Sequence, residues 1–210
     1  MTRLELRATL IGDGSSDRAL VHVLRWIFAE LDVSAEIQYA DLRILSVVPS
    51  GLKERARAAL RLFPADLLFV HRDAEAAPPA SRYTEISDAL SSEGLPYVPI
   101  VPVRMTEAWF LFDEGAIRTA AGNPNGKAAL DLPHLDRVEA LPDPKAVLNA
   151  TLLAASGLNA RRRSKLRAGT LFLRVAELIR SYQALRSLAT FVRLEAETAD
   201  RVRSIRAART

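Results

Sequence analysis

The sequence contains no cysteine. Disulfides and thiolate-ligated metal sites are therefore excluded, and an intracellular compartment is compatible with that absence. No apolar run approaches the roughly 20 residues needed to span a bilayer. The opening stretch MTRLELRATL is too polar and too short for a signal peptide. These features lead us to expect a cytoplasmic protein with no membrane partner. No Gly-x-x-x-x-Gly-Lys-Ser/Thr phosphate loop occurs, so the chain is not itself a P-loop ATPase. It has no internal repeat and no low-complexity tract.

What is present suits a folded core. The chain has 210 residues, 49% hydrophobic and 26% charged, enough for one domain or a domain with a smaller appendage. The net charge of +4 hides an asymmetry. Residues 1–157 hold 16 Lys and Arg against 21 Asp and Glu, whereas residues 158–210 hold 13 against 4. Such a separation fits an acidic site in one part and a polyanion-facing surface in the other, although solvated helices also tolerate it.

The first hundred residues alternate in pattern. RATLIG (7–12) reads as a buried strand, and Leu20, Leu24, Ile27 and Leu31 then fall at helical spacing over 16–31, with Ser15 or Ser16 as N-cap. Residues 35–48 read as one strand or two short ones, followed by a helix over 52–63. The continuous apolar run of residues 66–70 suits a central strand buried on both faces. A helix over 81–93 stops at Gly94, and three prolines in 96–103 demote that segment to an edge strand or extended stretch. Strands alternating with helices predict an α/β domain with a mostly parallel sheet over 1–115. After Met105 only helical patterns recur, over 105–121, 145–156, 170–185 and 187–205, which predicts a helical C-terminal lobe over 116–210. Asp143-Pro144 has the form of a helix start. Trp26, Trp109 and Phe112 fall at core positions.

Function in a parallel sheet gathers at the C-terminal edge of its strands, and the notable acids lie there. Asp13 and Asp17 follow the first strand, Asp73 and Glu75 the buried LLFV run, and Glu107 the proline-punctuated segment. If the first and third strands are neighbours, the carboxylates converge, and a hard cation between them relieves their repulsion. On an extended segment Asp73 and Glu75, at i and i+2, point to one side. Each acid also has a plainer role. Asp17 suits the first turn of a helix, Asp13 an Asx-turn, Asp73 and Glu75 a solvated loop, and Glu107 a helix start after Thr106. His71 fits a strand-end packing residue and is left unassigned.

Together, the acid-Gly-x-x-Asp turn and the Asp-x-acid motif about sixty residues later resemble the TOPRIM superfamily of topoisomerases, bacterial primases, recombination proteins and overcoming-lysogenization-defect nucleases. The segments Asp13 to Asp17, His71 to Glu75, Arg104 to Asp113, Leu141 to Lys145 and Leu185 to Leu188 further resemble a bacterial TOPRIM-like family of unknown function, often encoded beside ATPases in mobile or defence loci. The resemblance implies a TOPRIM-like fold, Mg²⁺ or Mn²⁺ as cofactor, and an ATPase as a partner. It implies Asp13 as the family's catalytic Glu and Asp73 and Glu75 as its metal-binding pair. Asp17 supports the metal and Glu107 is an added ligand or orienting acid. Asp13 is a methylene shorter than Glu and Glu75 one longer than Asp, a change of reach that bears on activity more than on metal affinity.

Residues 161–167 hold five basic side chains in seven, Arg161, Arg162, Arg163, Lys165 and Arg167. This run is the expected contact for DNA or RNA phosphates, or else a solvated helix connection. Few aromatics interleave with it, so base stacking is not expected. The sequence thus leads to a metal-dependent nuclease using Asp13, Asp73, Glu75 and Glu107. The alternatives are a non-catalytic partner of an ATPase and a nucleic-acid-binding regulatory module.

Overall fold

The structure, a computed structural model, describes residues 4–209. Residues 1–3 and 210, the outer ends of the two expected units, lie outside the described residues. The chain forms an α/β fold followed by a helical C-terminal region. Strands β1 (Leu4–Ile11), β2 (Val33–Tyr39), β3 (Leu67–His71) and β4 (Tyr97–Ile100) make one parallel sheet in the order β2-β1-β3-β4. Helices α1 (Leu20–Glu30), α2 (Leu52–Leu62) and α3 (Pro79–Leu90) connect them.

Strand β3 illustrates how the sequence dictates the layers. Leu67 and Phe69 join one hydrophobic cluster, Leu68 and Val70 another. Period-2 alternation sends them to opposite faces, so a run apolar throughout must be covered on both sides. Helices α2 and α3 cover one face. Helix α1 and the C-terminal helices cover the other. These are α4 (Glu114–Ala120), α5 (Pro144–Ala155), α6 (Ala160–Arg163), α7 (Ala168–Leu178) and α8 (Ala189–Ala208), of which α6 is a single exposed turn with no buried residue. Trp109 and Phe110 are fully buried beneath them, packing edge-on against Phe191 of α8 at 5.4 Å and Phe172 of α7 at 5.0 Å.

Several boundaries differ from the periodicity. The strand expected through residue 48 ends at Tyr39, where Asp41 accepts the backbone N–H of Arg43 and turns the chain into a 3-10 turn at Leu42–Ile44. The expected cap at Ser15 or Ser16 is not made. A 3-10 turn, Ser15–Ala19, precedes α1, with Gly14 at its start. The helix expected over 105–121 is split into a 3-10 turn at Thr106–Phe110 and α4, because Asp113 caps a new start by accepting from the Ala116 N–H at 2.9 Å. Helix α7 ends at Leu178, and the Tyr182 hydroxyl donates back to its Ala176 carbonyl at 2.9 Å. Asp143 does cap α5, with Pro144 in its first turn. Among the described residues, no helix is long and apolar enough to cross a membrane.

Candidate functional site

The chain runs from β1 outward to β2, then returns past β1 to β3. Sequence order reverses at the β1/β3 pair, where Ile11 lies opposite Val70. The loops leaving these two strands therefore open side by side, the position at which parallel sheets place ligands. Loop 12–17 carries Asp13 and Asp17, loop 71–75 carries Asp73 and Glu75, and the turn after β4 carries Thr106 and Glu107.

Asp17 is buried, and its Oδ2 accepts the backbone N–H groups of Asp13 at 2.7 Å and Gly14 at 2.9 Å. It closes the loop that its own turn begins, the plainer role of a first-turn acid. Gly12 is needed for this closure, because a Cβ there would sit 2.5 Å from Asp17 Oδ2. The same carboxylate faces His71, whose Nδ1 lies 3.2 Å away, an ion-pair distance off the line of a good hydrogen bond. His71 Nε2 is 3.1 Å from Asp73 Oδ1 and 2.8 Å from Thr106 Oγ1. Asp73 Oδ1 further accepts the Thr106 N–H at 2.9 Å and its hydroxyl at 3.1 Å.

His71 is 2% exposed, and burial alone would drive off its proton. Asp17 and Asp73 outweigh that effect and raise its pKa to about 10. The imidazole is thus a buried cation between two carboxylates. For Asp17, burial pushes toward the neutral acid, but His71 and the two backbone N–H donors prevail and lower its pKa.

The remaining acids have other cations. Asp13 is half exposed, held by Arg55 of α2 at 2.6 Å and by Arg72 at 2.9 and 3.0 Å. Arg55 also donates to the Gly12 carbonyl. Arg82 of α3 donates to the Asp73 carbonyl at 3.1 Å and pairs with Glu85 at 2.7 Å. It lies 3.4 Å from Glu75, which is 69% exposed. The expected alternation of Asp73 and Glu75 does not hold. Glu75 has φ 55, in the left-handed region, so the segment turns there and the extended period does not apply. Glu107 is buried, with Lys145 at 3.7 Å. Burial first, then Asp73 and Asp17, raise its pKa despite its own N–H and Lys145.

The structure therefore brings Asp17, Asp73 and Glu107 into one electrostatic group with His71. Asp13 stands in a separate arginine clamp, and Glu75 stands at the rim. Among the described residues, no group of three or more His, Asp or Glu is arranged to hold a metal ion. The donors are hard oxygens of the type Mg²⁺ takes, and cations of the chain itself face them, His71 between Asp17 and Asp73 and the arginines Arg55 and Arg72 at Asp13. His71, Thr106, Arg55, Arg72 and Arg82 were not assigned from sequence. The signal for His71 was present: an ionisable residue closing a wholly apolar strand, with Asp two positions on.

The basic run behaves differently. Arg161, Arg162, Arg163, Lys165 and Arg167 are all exposed, in α6 and the link to α7. Among the described residues none of the five pairs with an acid, and Arg163 alone has a side-chain hydrogen bond, to the Leu158 carbonyl at 3.1 Å. Many arginines elsewhere are paired, as with Arg57 and Glu93, Arg174 and Glu177, and Arg186 with Glu30 and Glu195. Compared with family models, with curated proteins and with solved structures, the chain gives no match.

Proposed function

We propose that the protein is a nucleic-acid-binding module that holds a phosphate backbone on the exposed basic run at residues 161–167. The observation that carries this reading is that five exposed cations within seven residues all lack acidic partners, in a chain that pairs many of its other arginines. Five unneutralised cations on a single exposed segment are the electrostatic footprint of a polyanion ligand. With few aromatics beside them, they would contact phosphates and leave base identity unread. On this reading the acids at the β1/β3 edge are chiefly architectural. They lock three loops together through His71, Arg55 and Arg72.

The test is binding of labelled DNA and RNA as salt is varied, with the parent and with Arg161→Ala/Arg163→Ala. Weakened binding with a shallower salt slope in the variant supports the reading. Equal binding by both proteins refutes it.

One observation favours a second reading, the TOPRIM-like metal-dependent nuclease. Asp17, Asp73 and Glu107 come from three distant segments and still act on one another at one strand edge, where Asp73 and Asp17 add to the burial that raises the Glu107 pKa. Converging carboxylates of this kind are frequent at catalytic sites. Its test is cleavage of plasmid and RNA with Mg²⁺ or Mn²⁺, compared with Asp73→Ala. Cleavage by the parent and none by the variant supports it; no cleavage with either metal refutes it.

A further inference from the structure

A cavity opens beside the loop at 12–17, on the far side of β1 from β3. It has a volume of about 350 Å³ and is walled by the Ser15–Ala19 turn, α1, the end of β2 and α7. Pockets of this size hold small organic ligands. The cavity has two contrasting walls. Ile37 and Leu173 give it an apolar side, while Arg18, Arg25, His22 and Ser15 give it a polar one.

The two arginines are the informative residues. Both are exposed, and among the described residues neither makes an ion pair or a side-chain hydrogen bond. The acids near them are already engaged. Asp41, in the cavity wall, is gripped by Arg43 at 2.7 and 2.5 Å. Glu177, close enough to act on His22, is held by Arg174 at 2.6 Å. His22 is half-buried, and burial, Arg25 and Arg18 all lower its pKa, which leaves a neutral ring able to donate or accept one hydrogen bond beside the guanidinium groups. Two guanidinium groups without partners, lining one cavity with the apolar Ile37 and Leu173, match an anion attached to a flat or apolar body. Arginine's fork of donors suits a phosphate in particular.

We propose that this cavity binds a nucleoside monophosphate group, with Arg18 and Arg25 on its phosphate and the base and sugar against Ile37 and Leu173. The group can be a free nucleotide or the phosphorylated end of a strand. The binding does not depend on the basic run at 161–167, although α7, which follows that run, forms one wall.

Calorimetric titration of the full chain tests the proposal with four probes: the nucleoside 5′-monophosphates, the matching nucleosides, inorganic phosphate, and short strands with and without a 5′-phosphate. At least one monophosphate is expected to bind about tenfold more tightly than its nucleoside or inorganic phosphate, since each half of the ligand then contributes. Arg18→Ala/Arg25→Ala, which alters exposed side chains alone, is expected to weaken that binding by about tenfold or more. Preference for the 5′-phosphorylated strand over the free nucleotide identifies a strand end; the reverse identifies a free nucleotide. Arg161→Ala/Arg163→Ala should leave mononucleotide affinity unchanged, so loss of strand binding there does not bear on this cavity. The proposal is overturned if no monophosphate binds, or if the Arg18/Arg25 double variant binds as tightly as the parent.

Discussion

Replacing Asp73 with Asn removes one negative charge from the buried network and keeps an oxygen to accept from Thr106. In the parent, His71 titrates at about 10, against an ordinary value of 6.5. Because the folded value is the higher one, the stabilisation is complete below pH 6.5 and is lost as pH climbs toward about 10. That gap corresponds to at most about 5 kcal/mol, carried by two carboxylates against the cost of burial. An opposite charge at contact distance is worth about one to three pKa units. In Asp73→Asn the His71 midpoint should therefore fall to about 7–9. Below pH 6.5 the same loss should cost about 1–4 kcal/mol of stability. The assay is the imidazole Cε1–H resonance followed by NMR, assigned by its disappearance in His71→Asn, with urea melts at matched pH. A parent midpoint near 6.5, or one that Asp73→Asn leaves in place, would refute the buried-cation account.

Other substitutions separate architecture from surface chemistry. Asp17→Ala removes the acceptor of two backbone N–H groups and a partner of His71, and should cost about 3–5 kcal/mol in urea unfolding. Asp13→Ala removes a half-exposed clamp and should cost about 0–1 kcal/mol; equal effects at the two sites would contradict this division. Trp109→Ala empties a fully buried position between the sheet and α8, with an expected loss of about 3–5 kcal/mol in a denaturant melt. Asp143→Ala deletes the cap whose carboxylate accepts from the Ala146 N–H at 2.8 Å, with an expected cost of about 1 kcal/mol read from the thermal midpoint.

The sheet was legible in the sequence where a segment had one physical solution. An apolar run such as Leu67 to Val70 cannot expose either face, so its central, two-sided burial followed. The prolines of 96–103 pointed to an edge, and β4 is an edge strand. The acids were also legible as residues of one strand edge. Their partners were not. Arg55 sits on α2 and Arg82 on α3, and spacing along a helix does not reveal which loop a long side chain will reach. The Asp73–Glu75 argument failed on one backbone angle, the left-handed φ of Glu75. Residues 40–48 misled for a related reason. Their β-branched character invites a strand, but Asp41 offers the backbone a local hydrogen bond and starts a turn instead.

The most direct test of the central proposal is the salt dependence of nucleic-acid affinity for the parent and for a variant with Arg161, Arg162, Arg163, Lys165 and Arg167 all changed to Ala. For the parent, log affinity should fall linearly with log salt. Each phosphate that the variant no longer neutralises should reduce that slope by about 0.7 for a single strand or 0.9 for a duplex. Parallel lines for the two proteins, or no salt-dependent binding by the parent, would contradict the assignment of the basic run to nucleic acid.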